Sequence, residues 1–359
     1  MRPLISVDMR MIDSSGIGTY ISNLVPLIIK RIEKAEFNLI GDRKKLEKFS
    51  SYPNVRICHC NTPIYSLREQ IDLLKCIPRE TVLFWSPHYN IPLFYRGAML
   101  VTVHDVFHLA MKQYVSGLIK KLYANLMFKG VKYKASKVLT VSYFTKEELL
   151  KYVNIKGEQI AVTPNGISKK WFHLVNGTRL CQKPYILYVG NVKPHKNLSS
   201  LIKAFELIEN KTECDLVIVG KKDGFITEDT RIQEITKRNE QRIHFTGFVE
   251  ENVLINYVQN ASLFVFPSLY EGFGLPPLEA MASGIPVAVS DIPPLHEVCG
   301  NAAAYFNPFD EKNIAETVLN ELALGTNSAK RKLLINQAEN FQWEKCAEET
   351  SKVITDLLT

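Results

Sequence analysis

Two glutamates, Glu271 and Glu279, stand eight positions apart in the stretch SLYEGFGLPPLEAMASGIPVAVS, residues 268–290, which is otherwise rich in glycine, proline and apolar residues. Carboxylates in such surroundings usually hold a partner. The strand-like run SLFVFPS comes before them, two glycines permit a tight turn, and a proline pair stands where a helix would begin. We expect Glu271 in a loop at a strand end. We expect Glu279 in the first turn of a helix, where the helix dipole alone would favour an acidic residue.

Basic side chains follow another apolar run in the same half of the chain. The segment YVGNVKPHKNL, residues 188–198, presents Lys193, His195 and Lys196 ahead of a helical pattern. Cations beside a helix N-terminus are suited to clamping a diphosphate. The alternative is a solvated basic turn.

The segment DMRMIDSSGIGTY, residues 8–20, reads as a loop followed by a helical pattern. Gly16 and Gly18 would allow the backbone to approach a ligand, and the helix N-terminus would offer N–H groups to a phosphate. The dinucleotide-binding fingerprint fails here, because Ile21 occupies the position of its third glycine. An ordinary loop is the alternative.

Two polar residues end strand-like runs in the first half. His104 ends MLVTVHD together with Asp105, and Ser142 ends KVLTVS. A lone histidine is more often a structural hydrogen-bonding residue than a catalytic one, and the same holds for a lone serine. Both are candidates only because ligands bind where parallel strands end.

The elements that must position these residues form a regular alternation. Short apolar, β-branched runs are each followed by a longer helical pattern, and the runs are LISVD, FNLIGD, TVLFWSP, MLVTVHD, KVLTVS, IAVTPNG, YILYVGN, DLVIVG, RIHFTGF, SLFVFPS and PVAVSD. Wholly apolar runs suit strands buried on both faces of parallel sheets. After KVLTVS, Thr145 and Glu148 have the spacing of a capping box. We predict the α/β fold class, with two Rossmann-like parallel-sheet domains facing a central cleft.

The domain boundaries follow from composition. Residues 164–184 contain prolines, glycines and polar residues that indicate a connection. We expect an N-terminal domain over 1–166, a second domain over 167–340, and a last helix within 341–359 that crosses back to the first. The length of 359 residues agrees with two domains.

Charge is divided unevenly along the chain. Residues 1–170 carry 26 Lys and Arg against 13 Asp and Glu, whereas the remainder carries 18 against 24. The first half should therefore meet an anionic surface. No run is long enough to span a membrane and no signal-peptide core opens the chain, so we expect a cytoplasmic protein. The seven cysteines are scattered, which favours reduced thiols over a disulfide framework.

The segment from Glu271 to Val287 resembles the signature of family 4 glycosyltransferases, in which two glutamates are separated by seven residues within EGFGLPxxEAMAxGxPV. The resemblance extends to the glycine loop, the His-Asp pair, PNGI at 164–167, the lysine turn after YVGN and GFV at 247–249. It covers most of the chain in the family's order. The segment SPHYNIP at 86–92 is similar to mannosyl- and rhamnosyltransferases of bacterial surface polysaccharides.

This resemblance implies a GT-B fold, retention of anomeric configuration, and a second domain that holds a nucleotide sugar while the first receives the acceptor. The implied catalytic residues are His104, Lys196 and Glu271. The implied donor-binding residues are Gly16, Gly18, Ser142, Gly190, Asn191, Lys193, Gly247, Val249, Ser268, Phe273, Gly274, Leu275 and Glu279. Asn191 departs from the pattern, because many relatives have arginine there, which leaves charge neutralisation to the lysines.

The partners implied are a nucleotide sugar, with GDP-mannose as first choice, and a glycan or lipid-linked glycan acceptor. No cofactor is expected, and no metal site, since no Asp-x-Asp stands near the site. Residues 117–137 mix apolar spacing with six lysines, which suits either an interfacial helix on the inner face of an anionic membrane or a solvated basic helix.

Three other functions remain open from the residues. A nicotinamide dehydrogenase would share the sheets but needs the missing glycine. A nucleic-acid-binding protein would use the basic first half, although the chain shows no recognised module for it, and we expect no nucleic-acid partner. A non-catalytic sensor of nucleotide sugars would keep Glu279 and the base pocket. Within the family, a rhamnosyl- or UDP-sugar-dependent transferase is the alternative.

Overall fold

The computed structural model describes residues 2–173, 179–220 and 230–359. The chain divides into two compact units. Unit 1 consists of residues up to 166 together with 342–359, and unit 2 consists of 167–341. The connection expected at 164–184 contains the change of unit, and its residues 174–178 lie outside the described part.

Within residues 2–166, seven parallel strands form one sheet. They are β1 (Leu4–Asp8), β2 (Glu36–Gly41), β3 (Val55–His59), β4 (Thr81–Ser86), β5 (Ala98–Val103), β6 (Lys137–Thr140) and β7 (Ile160–Val162). Their order across the sheet is β3-β2-β1-β4-β5-β6-β7. The direction of strand addition reverses between β1 and β4, and parallel sheets bind ligands at such a switch point.

In the described part of unit 2, six parallel strands form a second sheet. They are β8 (Tyr185–Val189), β9 (Asp215–Val219), β10 (Ile243–Gly247), β11 (Leu263–Phe266), β12 (Val287–Ser290) and β13 (Ala304–Phe306). The order β10-β9-β8-β11-β12-β13 repeats the order of the first six strands of unit 1. Its switch point lies between β8 and β11.

The prediction of parallel α/β sheets is confirmed. Each apolar run named above contains a strand, and every residue of β1 and of β9 is buried. The strand β13 was not predicted. It has three residues, of which two are partly exposed.

Helices pack against both sheets. In unit 1 they are α1 (Ser15–Arg31), α2 (Arg43–Leu46), α3 (Glu69–Cys76), α4 (Phe107–Ala110), α5 (Leu118–Lys134) and α6 (Tyr143–Val153). In unit 2 they are α7 (Leu198–Ile208), α8 (Thr230–Arg238), α9 (Glu251–Gln259), α10 (Leu275–Ala282), α11 (Pro293–Cys299), α12 (Glu311–Leu324) and α13 (Ser328–Glu339). Buried side chains such as Phe84, Val101 and Phe128 form a core of unit 1, and Phe205 and Val265 belong to the core of unit 2.

The last helix, α14 (Trp343–Leu358), belongs to unit 1 and packs against α1. The rings of Trp343 and Tyr20 meet edge to face with centroids 6.1 Å apart. A side chain at Gly166 would overlap the backbone of Trp343, so the close approach of the two chain segments requires glycine there.

The start of α1 differs from the expectation. We expected residues 8–20 to form a loop, whereas α1 begins at Ser15, so Gly16 and Gly18 lie in its first turn. Glycine disfavours helix, and for that reason the pattern placed the start too late. A side chain at Gly18 would overlap the carbonyl group of Ile12, so close backbone packing selects this glycine.

The capping box expected at Thr145 and Glu148 was also wrong. The helix α6 begins at Tyr143, and Ser142 is its N-cap residue. The Ser142 hydroxyl accepts a hydrogen bond of 3.0 Å from the Thr145 backbone N–H. A serine satisfies this role as well as a threonine does, so spacing alone could not decide between the two starts.

Among the residues described above, no helix is long and apolar enough to cross a membrane.

Candidate active site

The switch point of unit 2 brings two of the expected catalytic residues together. Lys196 ends a short helical turn after β8, and Glu271 lies in the loop after β11. The Lys196 Nζ atom lies 2.5 Å from Glu271 Oε1 and 5.6 Å from the centre of the Phe266 ring. The Leu269 backbone N–H donates to the His195 carbonyl oxygen at 2.8 Å, which ties the two loops together.

This ion pair is only partly buried. The side chains of Lys196 and Glu271 keep 21% and 13% of their exposure, so an incoming molecule can reach both. An ammonium group donates to phosphate oxygens, and a carboxylate accepts from sugar hydroxyls. The pair therefore offers a fixed cation and a fixed hydroxyl acceptor at one place.

The loop between β11 and α10 has a backbone that needs glycine. Gly274 has φ of +121°, and a Cβ there would stand 2.7 Å from Leu295 Cδ2. The Phe273 ring packs edge-on against Phe341, with centroids 5.5 Å apart. Because Pro276 and Pro277 have no N–H group, the Leu275 amide remains the donor at the start of α10.

Ser268 stands at the end of β11 and is fully buried. Within the described residues, its hydroxyl has no hydrogen-bond partner. A buried hydroxyl without a partner is costly and needs an explanation. Ser268 is one of the residues that the resemblance assigns to the donor.

Glu279 does not lie in the first turn of its helix, contrary to the expectation. The helix α10 begins at Leu275, so Glu279 is its fifth residue and the helix dipole no longer accounts for it. Burial raises the pKa of the Glu279 carboxyl to about 8, against the lowering effect of Lys170 and with a smaller contribution from Glu251. Lys170 and Glu251 form an ion pair with each other. The carboxyl can then both donate and accept a hydrogen bond near neutral pH.

Glu279→Gln should become more stable relative to the wild type as pH rises from 5 to 8. The folded protein holds the Glu279 proton up to about pH 8, whereas the unfolded chain releases it near the ordinary value, so wild-type unfolding free energy falls across this window. The slope is at most about 1.4 kcal/mol per pH unit. Urea unfolding at pH 5.5 and 8 measures it. The exposed Glu316→Gln is the control, and an equal response of both variants would contradict the effect of burial.

Glycines end three adjacent strands of unit 2. Gly190 follows β8, Gly220 follows β9, and Gly247 ends β10 with φ of +74°. The Gly190 N–H donates to Val219 O and the Gly220 N–H to Gly247 O, both at 3.0 Å. A side chain at Gly220 would overlap the Gly190 carbonyl group. These positions leave a bare backbone edge that a ligand can approach.

Three further expected donor-binding residues lie beside this edge. Asn191 and Lys193 are exposed, and Val249 is partly buried. The Lys193 N–H donates to the Asn191 carbonyl oxygen at 3.0 Å. Among the described residues the Lys193 side chain has no ion pair, so the structure positions Lys196 and leaves Lys193 unrestrained.

In unit 1, His104 lies just beyond β5 and its ring is held in place. The Pro87 carbonyl oxygen can only accept, so His104 Nε2 carries a hydrogen and donates to it at 2.9 Å. Burial lowers the pKa of His104 to about 4. The Tyr20 ring packs edge-on at 4.8 Å between centroids. The ring is therefore neutral at physiological pH, with Nδ1 as a hydrogen-bond acceptor.

Two of the other expected residues of unit 1 have structural roles, and Gly16 does not. Ser142 caps α6, and Gly18 permits the close packing of the first turn of α1. Around Gly16 there is open space for a side chain, so packing does not explain that glycine.

The switch point of unit 1 holds a charge network that the sequence analysis missed. Arg10 forms a two-pronged pair with Asp8, through Nε to Oδ1 at 2.9 Å and a terminal nitrogen to Oδ2 at 2.7 Å. It also reaches Glu69 Oε2 at 3.1 Å, and His88 Nε2 lies 3.2 Å from Asp8 Oδ2. These side chains are at most 3% exposed. The sequence signal for this network was the pair of charged residues at the end of the apolar strand β1, Asp8 and Arg10. No sequence pattern indicated that Glu69 belongs to it.

The described residues contain no group of three His, Cys, Asp or Glu side chains that could hold a metal ion. All seven cysteines are free thiols.

Two family descriptions match successive parts of the chain. "Glycosyltransferase Family 4" matches residues 43–171, and "Glycosyl transferases group 1" matches residues 176–341. Together they cover both sheets from β3 to β13. The chain belongs to glycosyltransferase family 4.

Sequence relatives of this glycosyltransferase include proteins named for O-antigen synthesis. The O-antigen chain mannosyltransferase RfbU of Salmonella typhimurium is 34% identical over 240 residues, which cover 66% of this chain and 64% of RfbU. The O-antigen chain mannosyltransferase B of Escherichia coli is 27% identical over 316 residues, covering 82% and 77%. The chain thus spans slightly less than two thirds of RfbU.

The fold is shared with solved glycosyltransferase structures. Anabaena HepE, solved in complex with UDP and glucose, superposes with a TM-score of 0.75 at 16% identity, over 99% of this chain and 100% of HepE. At that identity the likeness shows the fold alone. The two parallel-sheet units of this glycosyltransferase are those of the GT-B fold.

Proposed function

We propose that this glycosyltransferase moves a hexose from a nucleotide sugar to a glycan or lipid-linked glycan during surface-polysaccharide synthesis, with mannose from GDP-mannose as the first choice. The Lys196–Glu271 pair at the switch point of unit 2 carries the proposal, because it sets a cation beside a hydroxyl acceptor where a sheet of this order binds ligands. The names of the O-antigen mannosyltransferases support the choice of sugar.

The reaction breaks the bond between the anomeric carbon and the diphosphate oxygen. The electron pair leaves with the diphosphate, so positive charge develops on the sugar ring and negative charge on the leaving group. Lys196 stabilises that negative charge. The acceptor hydroxyl attacks the anomeric carbon and releases its proton to the departing diphosphate, and the configuration at that carbon is retained. No metal ion takes part in the proposed mechanism.

The remaining residues would orient the donor. Glu271 accepts hydrogen bonds from sugar hydroxyls, assisted by the backbone amides of residues 273–275. The neutral ring of His104, in unit 1, is able to accept a hydrogen bond from a sugar hydroxyl through Nδ1. Glu279 holds the ribose diol, for which its protonated carboxyl group can donate one hydrogen bond and accept another. The bare edge at Gly190 and Gly247 leaves space for the nucleoside.

Two alternatives keep the same site. A rhamnosyl- or UDP-sugar-dependent transferase would use the same cation and carboxylates with a different base or sugar. A non-catalytic protein that binds nucleotide sugars would keep the donor contacts without turnover. Donor preference distinguishes the proposed mannosyltransferase from a transferase that uses another nucleotide sugar. Turnover distinguishes it from a non-catalytic binding protein.

The helix α5 would place the protein against the inner face of the cell membrane. Leu118, Ile119, Leu122 and Leu126 are exposed on it, among lysines that include Lys120 and Lys121. Apolar side chains flanked by lysines suit an anionic lipid surface that carries the acceptor. Sedimentation with phosphatidylglycerol vesicles, but not with phosphatidylcholine vesicles, is the expected result.

The proposal is tested with a panel of nucleotide sugars, by following nucleotide release with and without a mannosylated glycolipid. GDP-mannose should give the fastest acceptor-dependent release, and EDTA should leave the rate unchanged. Glu271→Ala should lose about two orders of magnitude in kcat/KM, because a positioned hydroxyl acceptor is removed from the transition state. Glu316→Ala, an exposed change on α12, should behave as the wild type.

Each arm has an outcome that contradicts the proposal. Turnover of Glu271→Ala equal to the wild type would remove the assigned role of that glutamate. Loss of activity with EDTA would reveal a metal. If the protein bound nucleotide sugars but turned over none of them, the non-catalytic alternative would be correct.

A further inference from the structure

Three tyrosines from distant parts of unit 1 form a cluster of rings. Tyr65 lies between β3 and α3, Tyr89 follows β4, and Tyr123 lies in α5. The Tyr65 ring is edge-on to Tyr123 with centroids 5.9 Å apart and lies 6.4 Å from the Tyr89 ring. Tyr89 stacks on Phe128 at 4.7 Å, which fixes it to the core. These three residues are called the tyrosine cluster below.

Tyr65 is held in a backbone conformation that tyrosine rarely adopts. Its φ is +67°, in the left-handed region that costs energy for a bulky residue. Its backbone N–H donates to Glu69 Oε1 at 2.9 Å, and its side chain is 51% exposed. Strain of this kind persists where the surrounding structure imposes it, and it is concentrated at binding sites. An exposed ring is thus presented at a cost in stability.

The support beneath Tyr65 is a fully buried carboxylate. Glu69 receives hydrogen bonds from Arg10 at 3.1 Å, from the Asn90 amide at 2.8 Å and from the Tyr123 hydroxyl at 2.8 Å. It therefore fixes two members of the tyrosine cluster, Tyr65 through the backbone and Tyr123 through the hydroxyl. A buried charge with this many partners holds its neighbours in one arrangement.

The tyrosine cluster adjoins the residue assigned to the donor sugar. Tyr89 is two residues after Pro87, whose carbonyl oxygen anchors the His104 ring. Asp105 follows His104 directly. Burial raises the pKa of both Tyr65 and Tyr89, and the negative charge of Asp105 adds to this effect. An exposed ring, phenol hydroxyls and a carboxylate thus stand together at the carboxyl ends of β4 and β5.

We propose that the tyrosine cluster binds a pyranose ring of the acceptor glycan, with the Tyr65 ring against the C–H face of the sugar and with Asp105 and tyrosine hydroxyls bonding its hydroxyl groups. The inference rests on the proposed function and adds the acceptor subsite to it. A sugar ring has one apolar face and a polar edge, which matches this combination. A lipid chain has no hydroxyl groups with which the Asp105 carboxylate and the tyrosine hydroxyls could form hydrogen bonds, so it matches the cluster less well.

The test measures binding of soluble oligosaccharides without any donor. Saturation-transfer NMR and calorimetry would use α-linked mannotetraose, maltotetraose and chitotetraose as probes. At least one should bind the wild type, and Tyr65→Gly should weaken that binding by about tenfold through loss of the ring contact. Tyr65→Phe should retain most of it. Tyr152→Ala, which removes another exposed tyrosine, on α6, should bind as the wild type.

Stability separates a binding role from a structural one. Glycine accepts a positive φ without strain, so Tyr65→Gly should have a Tm equal to or above that of the wild type while it binds sugar less well. A fall in Tm with unchanged binding would mean that Tyr65 serves the fold, and would overturn the proposal.

Two other results would also overturn it. One is absence of binding for all three probes, and the other is Tyr65-dependent binding of phosphatidylglycerol vesicles in place of sugars. Because no donor or turnover enters this assay, its failure is distinct from failure of the nucleotide-sugar panel. An inactive protein that binds oligosaccharide through Tyr65 would retain the subsite and lose the proposed reaction.

Discussion

Lys196→Ala is expected to lower kcat/KM for sugar transfer by about 10²–10³-fold. The ammonium group is held 2.5 Å from Glu271 and is reachable by a ligand, so it is organised before the donor arrives. Groups fixed in advance where charge develops give the largest single contributions to catalysis, and loss of one such donor costs about 3–4 kcal/mol. The leaving diphosphate gains charge only as the bond breaks, so kcat should fall more than KM rises.

The matched control is Lys193→Ala, three residues earlier on the same turn. Lys193 is exposed and has no ion pair among the described residues, so its removal should cost less than about tenfold. Lys196→Arg keeps the charge but changes its geometry, and it should recover only part of the rate. Equal losses for the two alanine variants would mean that general positive charge, and not the position of Lys196, supports the reaction.

The strands were predictable because burial on both faces of a sheet selects continuous apolar runs in the sequence. A run such as DLVIV in β9 has no polar alternation, and such a run fits only a sheet covered on both sides. The two units follow from the repetition of that pattern. The pattern could not give the first residue of each helix. Ser142 and Thr145 are both suitable N-cap residues for α6, and only the packed structure shows which one is used.

The site was predictable only where its residues are close in sequence. Glu271 and Glu279 share one segment, and their resemblance to a family signature carries both. The pairing of Lys196 with Glu271 joins residues 75 positions apart, and that of Arg10 with Glu69 joins residues 59 positions apart. Single-sequence patterns contain no record of such contacts. The strained backbone of Tyr65 likewise could not be predicted, because no residue type near it in the sequence indicates a positive φ.

Both switch points contain an ion pair, and the two pairs differ in how far solvent can reach them. Both sheets share the order of their first six strands, and each places an Arg or Lys against carboxylates at the reversal. In unit 1 the Arg10–Asp8 pair is sealed from solvent, so it can only organise its surroundings. In unit 2 the Lys196–Glu271 pair remains reachable. One arrangement of strands thus supports a structural centre in unit 1 and a candidate catalytic centre in unit 2.

Arg10→Met is expected to destabilise unit 1 by about 3–5 kcal/mol, because it leaves the Asp8 and Glu69 carboxylates buried without their shared cation. For a unit of this size the Tm should fall by roughly 6–20 °C. Trp85 and Trp343 lie in unit 1 and Trp171 lies in unit 2, so tryptophan fluorescence measured in a Trp171→Phe background reports on the unfolding of unit 1. The control is Arg56→Met, which breaks the exposed Arg56–Glu80 pair and should cost less than about 1 kcal/mol.

The pH dependence distinguishes loss of charge pairing from loss of packing. Burial alone would raise the pKa of Asp8, but the Arg10 guanidinium and the His88 hydrogen bond outweigh it and hold that pKa well below its usual range. The wild type therefore gains stability from Asp8 above the unfolded pKa and loses it only in strong acid. Without Arg10, burial raises the Asp8 pKa, and the variant loses stability as pH rises. The difference between the two proteins should widen from pH 5 to pH 8, whereas a packing defect would keep it constant.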